Sequence, residues 1–74
     1  MQKLEGNTFA NRLIQARKKA NMTQTEVAKE LNITQTTLSK YETGRLEPNI
    51  ELLTKIINLY EINANWLFGT GMKQ

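Results

Sequence analysis

Five residues in one short stretch, Gln35, Thr36, Thr37, Ser39 and Lys40, set an amide, three hydroxyls and an amine along the chain. Together they donate and accept hydrogen bonds without a strong charge. Such a set suits recognition of a polar edge better than the making or breaking of bonds. What the other residues lack points the same way. There is no His, so the commonest general base near neutral pH and the commonest metal ligand are missing. There is no Cys and no Asp, which leaves Glu as the only acidic side chain and removes thiolate nucleophiles, disulfides and thiolate metal sites. Ser-His and Cys-His hydrolases are excluded. We expect no catalytic residues, no metal, no cofactor and no enzyme.

The chain of 74 residues is long enough for one core and too short for two. No apolar run approaches the roughly 20 residues of a membrane helix, and Met1 to Asn11 lacks the apolar centre of a signal peptide. A cytoplasmic protein without a membrane partner is expected, and the absence of Cys fits a reducing compartment. The formal charge is +3. It is uneven, since residues 1–22 carry Lys3, Arg12, Arg17, Lys18 and Lys19 against Glu5, a net +4. Residues 23–49 carry Lys29, Lys40 and Arg45 against Glu26, Glu30, Glu42 and Glu47, a net −1. A moderately basic balance hints at a polyanion as partner.

The elements that must position Gln35 to Lys40 are all helical by period, and no strand alternation is found. Phe9, Leu13, Ala16 and Ala20 mark one face of a first helix from about Thr8 to Ala20, capped by Thr8 or Asn7 and ended by Asn21. Thr23-Gln24-Thr25-Glu26 is a capping box that opens a short second helix with Val27 and Leu31 inward. Asn32 falls where the chain must turn, Thr34 caps a third helix with Leu38 and Tyr41 inward, and Thr43-Gly44 closes it. Gly44 to Pro48 reads as a loop. Asn49 caps a fourth helix whose apolar stripe is Ile50, Leu53, Ile56, Ile57 and Tyr60. Glu61-Ile62-Asn63 is a turn, and Asn63 caps a last helix, Ala64 to Phe68, stopped by Gly69.

Two short helices joined by so few residues must cross steeply. Ala28 is small enough for the close approach, and Asn32 tolerates positive φ in the turn. That geometry projects the N-terminal half of the third helix outward, where it fits a DNA major groove. Gln there can bond adenine N6 and N7 together, Thr offers a hydroxyl and a methyl, and Lys chooses guanine or a phosphate.

The string from Leu13 to Pro48, which contains R-x-x-x-x-M-T-Q-x-E-V-A-x-x-L-N-I-x-Q-x-x-L-S-K-Y-E-x-G-x-x-x-P from Arg17 on, resembles the helix-turn-helix domain of the lambda repressor and Cro superfamily, also called the XRE family. Asn65-Trp66-Leu67-Phe68-Gly69 resembles that family's closing W-L-x-G segment. The resemblance implies an all-α, compact five-helix bundle over residues 9–69, with the motif at about 24–43. Residues 1–8 would form an N-terminal arm and 70–74 a tail or the start of a linker. It implies a sequence-specific transcriptional regulator, a repressor, that binds a pseudo-palindromic double-stranded DNA operator as a homodimer. The alternative reading is an antitoxin or adaptor of a protein partner that uses the same domain for autoregulation.

Carried over by position, the resemblance assigns base reading to Gln35, Thr36, Thr37 and Lys40, and DNA-backbone contacts to Gln24, Ser39, Thr43 and Arg45. It pairs Arg17 with Glu42 to tie the first helix to the third, and it offers Trp66, Leu67 and Phe68 as dimer contacts. Asn32 replaces the more usual Gly, Lys40 stands where some relatives carry Gln, and Asn65 precedes Trp66 where an acid is common.

Overall fold

Thr23, Thr34, Asn49 and Asn63 each precede a helix in extended backbone, and each side chain accepts a backbone N–H from the first turn it opens. These caps satisfy donors that a helix start leaves without partners. They divide the computed structural model, which describes residues 9–69, into α1 (Phe9–Lys19), α2 (Gln24–Leu31), α3 (Gln35–Glu42), α4 (Ile50–Tyr60) and α5 (Ala64–Phe68). The capping box is complete: Glu26 N–H donates to Thr23 Oγ1 at 3.1 Å and Thr23 N–H to Glu26 Oε1 at 2.9 Å. The arm at 1–8, the Thr8 or Asn7 cap and the tail at 70–74 lie outside the described residues.

The helix ends share one device. Asn21, Asn32, Gly44, Glu61 and Gly69 all adopt positive φ, between 55° and 78°. In the first four the next residue bonds back to close the end: Met22 N–H to Arg17 C=O, Ile33 N–H to Ala28 C=O, Arg45 N–H to Lys40 C=O and Ile62 N–H to Ile57 C=O. Carbonyls that the helix would leave open are thereby satisfied. Glu61 is the exception in residue type, being neither Gly nor Asn: the turn expected at Glu61-Ile62-Asn63 opens on a left-handed backbone that glutamate does not favour. α1 stops at Lys19, one residue before the expected Ala20, because Asn21 already turns the chain.

One core holds Leu13 and Ala16 of α1, Val27 and Leu31 of α2, Leu38 and Tyr41 of α3, Leu53, Ile56 and Tyr60 of α4, and Leu67 of α5. The periodic stripe of α4 needs one correction, because Ile50 is 77% exposed. Its period is right, but Ile50 is the first residue of α4, and the contacts of this helix with the core begin at Leu52 and Leu53. Ala28, 4% exposed, is buried with Val27 and Leu31 on the inner face of α2. The turn Asn32-Ile33-Thr34 then carries the chain directly into α3. Among the described residues no helix is long and apolar enough to cross a membrane, and no strand is found.

Candidate nucleic-acid interface

α3 buries Leu38, Tyr41 and Glu42 and leaves its other face out. Gln35, Thr36 and Lys40 are exposed, and Thr37 and Ser39 are half-buried. Thr37 is held by its cap. Its N–H donates to Thr34 Oγ1 at 3.1 Å, and its hydroxyl oxygen accepts from Thr34 Oγ1 at 2.9 Å, so the Thr37 hydroxyl proton remains available. Among the described residues no hydrogen bond or ion pair engages the side chains of Thr36, Lys40 or Arg45. They are free to meet a ligand.

Glu42 would be the wrong charge beside a polyanion if it faced outward. It is 4% exposed instead, and Arg17 neutralises it. Arg17 Nε donates to Glu42 Oε2 at 2.8 Å and Nη2 to Oε1 at 3.3 Å, while Nη1 donates to Met22 C=O at 3.0 Å. The fork joins α1, α3 and the α1–α2 turn in a two-point contact that a lysine would not reproduce. Tyr60 packs close to this pair. Burial first, and the Glu42 carboxylate second, push its hydroxyl well above the ordinary tyrosine range, with Arg17 pulling in the opposite sense.

Gln24 and Gln35 sit at the first positions of α2 and α3 and meet across the turn. Gln24 Nε2 donates to Glu42 Oε1 at 2.8 Å, and Gln35 Nε2 donates to Gln24 Oε1 at 2.8 Å. A row of hydrogen bonds thus runs from Arg17 through Glu42 and Gln24 to the exposed tip of Gln35. The sequence singled out all four residues but not the two amide links, whose only signal was the matching first-turn position of the two glutamines. The second N–H of Gln24 Nε2 has no hydrogen bond among the described residues. The backbone N–H of Gln24 and that of Thr25 also stay open among the described residues, since Thr23 takes those of Glu26 and Val27. The start of α2 therefore keeps two open backbone N–H groups, an arrangement that favours an anion.

Two assigned contacts fare differently in this geometry. Thr43 spends its hydroxyl proton on Ser39 C=O at 3.0 Å and Lys40 C=O at 3.3 Å, and its N–H on Ser39 C=O. Only oxygen lone pairs are left, and a phosphate offers no proton to them. Leu67 is 0% exposed and belongs to the core, so it is no dimer contact. Leu67, the fourth of the five residues of α5, is the one that the short helix turns fully into the core. Trp66 is half-buried, with the Arg12 guanidinium 5.9 Å from its ring centre and Arg12 Nη1 donating to its C=O at 3.2 Å. Phe68 is 50% exposed and stacks on Phe9, with centroids 5.9 Å apart and planes 9° from parallel. A groove of about 870 Å³ between α1, α4 and α5, floored by Ala16, Leu59 and Trp66, takes no lining residue from α2 or α3.

A family model described as helix-turn-helix matches residues 13–67. The chain is 40% identical over 62 residues to the HTH-type transcriptional regulator ImmR of Bacillus subtilis, covering 84% of this chain and 49% of that protein. It is 41% identical over 58 residues to the cryptic phage CTXphi transcriptional repressor RstR of Vibrio cholerae, covering 78% of this chain and 52% of that one. The ImmF control region 10 kDa protein of Bacillus phage phi105 is 34% identical over 70 residues, 95% of this chain and 78% of that protein. The chain thus spans about half the length of the first two. With the motif, two short helices α2 and α3 joined by three residues, and the matched span in agreement, the chain belongs to the helix-turn-helix family of the lambda repressor and Cro-like (XRE) type.

Proposed function

We propose that this domain binds operator DNA sequence-specifically and acts as a transcriptional repressor, with the N-terminal half of α3 in the major groove. The observation that carries the reading is the outward row Gln35, Thr36 and Lys40 on a helix whose one acid is buried and paired. Gln35, Thr36 and Thr37 read base edges. Gln24, with the open N–H groups of α2, and Arg45 hold phosphates on either side. Ser39, half-buried on α3, is assigned to the same backbone, and the exposed Lys40 to a base edge or a phosphate. ImmR and RstR are named as a transcriptional regulator and a transcriptional repressor, which supports this assignment.

One domain reads few base pairs, so selectivity calls for two copies on a pseudo-palindrome with half-sites roughly 34 Å apart. The exposed Phe68 ring on Phe9, with the half-buried Trp66 beside it, is the surface we assign to the second copy.

Selection from random duplexes at two salt concentrations tests the proposal. An enriched inverted repeat is expected. Gln35→Ala should then lose on the order of 1–3 kcal/mol at one base pair of each half-site and little elsewhere. An equal loss on every sequence, or uniform and steeply salt-dependent binding by the parent protein, would refute base reading.

A further inference from the structure

The row from Arg17 to Gln35 has a direction, and its buried end sets it. A carboxylate accepts hydrogen bonds and never donates. Glu42, paired with Arg17, therefore requires a donor from Gln24, whose Nε2 lies 2.8 Å from Oε1. With its nitrogen committed inward, Gln24 turns its oxygen to α3, and Gln35 must answer with Nε2, also at 2.8 Å. Reversing either amide alone would set oxygen against oxygen or N–H against N–H. The whole row reverses only if the group at position 42 is able to donate.

This matters at the tip. In the observed sense Gln35 keeps one N–H and its carbonyl oxygen for the groove, the donor–acceptor pair that adenine N7 and N6–H₂ require. In the reversed sense Gln35 would spend its oxygen on Gln24 and turn two N–H groups outward, toward the two acceptors of guanine, N7 and O6. Building on the base-reading role of Gln35, we infer that Glu42 is a specificity-determining positioning residue: through Gln24 it fixes which end of the Gln35 amide faces the DNA. Glu42 itself, 4% exposed, never touches the ligand.

The test uses the full chain and duplexes carrying each base pair in turn at every operator position. Gln35→Ala first identifies the position that Gln35 reads; if no single position responds, base reading and this inference fall together. At that position Glu42→Gln should reduce adenine-over-guanine preference from on the order of tenfold to threefold or less, with the other positions unchanged. A loss shared by all positions would show a merely structural role and overturn the inference. So would a preference that survives in the folded variant. Because Glu42→Gln disturbs a buried ion pair, two further variants carry the same measurement. Arg17→Met with Glu42→Leu leaves no buried charge, and Gln24→Leu keeps the ion pair but cuts the row in its middle. Each should lose the preference at that one position, and its retention in a helical, cooperatively melting protein overturns the inference.

Discussion

Removing one member of the Arg17–Glu42 pair should cost far more than removing both. The Glu42 side chain is 2% exposed, so Arg17→Met leaves a carboxylate in the interior with the Gln24 amide as its remaining donor. Breaking a buried pair in this way costs about 3–5 kcal/mol. At roughly 0.05–0.15 kcal/mol per residue the whole domain has on the order of 4–11 kcal/mol to lose, so the single variant forfeits a large share of it or all of it. Glu42→Leu should cost less. The Arg17 side chain is 13% exposed and still donates to Met22 C=O, so its charge reaches water by a small shift. The double variant replaces both charges by apolar groups of similar length and should return to within about 2 kcal/mol of the parent. Urea unfolding followed by far-ultraviolet circular dichroism measures all four proteins, and a midpoint shift at constant slope reports stability alone. The cycle should show strong non-additivity. If each single change costs under about 1 kcal/mol, the pair behaves like an exposed one and the reasoning from burial is wrong.

Three other outcomes follow from particular residues. Glu61 holds φ of 55° at the C-terminus of α4, where both its side chain and its charge are unfavourable, so Glu61→Gly should raise stability by about 1 kcal/mol in the same urea assay. A loss instead would mean that the Glu61 side chain makes a needed contact. Ile50 and Ile56 share the period of α4 but are 77% and 0% exposed; Ile56→Ala should cost about 2–5 kcal/mol and Ile50→Ala under about 0.5, and thermal melts of the two variants settle the contrast. Tyr60 titrates higher in the folded chain than in the unfolded one, so the folded state retains the proton and loses stability as pH rises. Its contribution is complete below the unfolded value near 10 and declines above it, by at most about 1.4 kcal/mol per pH unit. Tyr60→Phe should gain on the parent protein in urea melts above pH 10, and parallel pH profiles would refute the burial of the hydroxyl.

What the sequence disclosed is mostly local. Thr23, Thr34, Asn49 and Asn63 cap their helices through contacts two or three residues away, and that spacing is visible in any stretch of chain. Asn21, Asn32, Gly44 and Gly69 declare themselves because few residue types accept positive φ. Glu61 does not, since nothing in its type favours that backbone; α4 nevertheless closes there, with Ile62 N–H on Ile57 C=O. Ile50 was misplaced because periodicity gives a face but not the length over which the face is covered. The amide row was hidden for a different reason. It joins Gln24 to Glu42 and to Gln35 across the turn, and a glutamine carries no mark of which way its amide will point. Only a neighbour with a fixed sense, here a carboxylate, decides that.

Charge counted along the chain also misleads until the side chains are placed. Residues 1–22 carry most of the positive excess, yet Arg12 is spent on Trp66 and Arg17 on Glu42. Of the described cations in that segment, Lys18 and Lys19 are the exposed ones. The recognition segment offers Lys40 and Arg45, with its one acid hidden. For the proposed reading of DNA this leaves only a few charges to neutralise phosphates, and each one releases counterions and steepens the salt dependence. A domain so furnished gains little from indiscriminate attraction. Its preference for one sequence must come from the polar tips of α3, which is why the direction of a single amide carries weight.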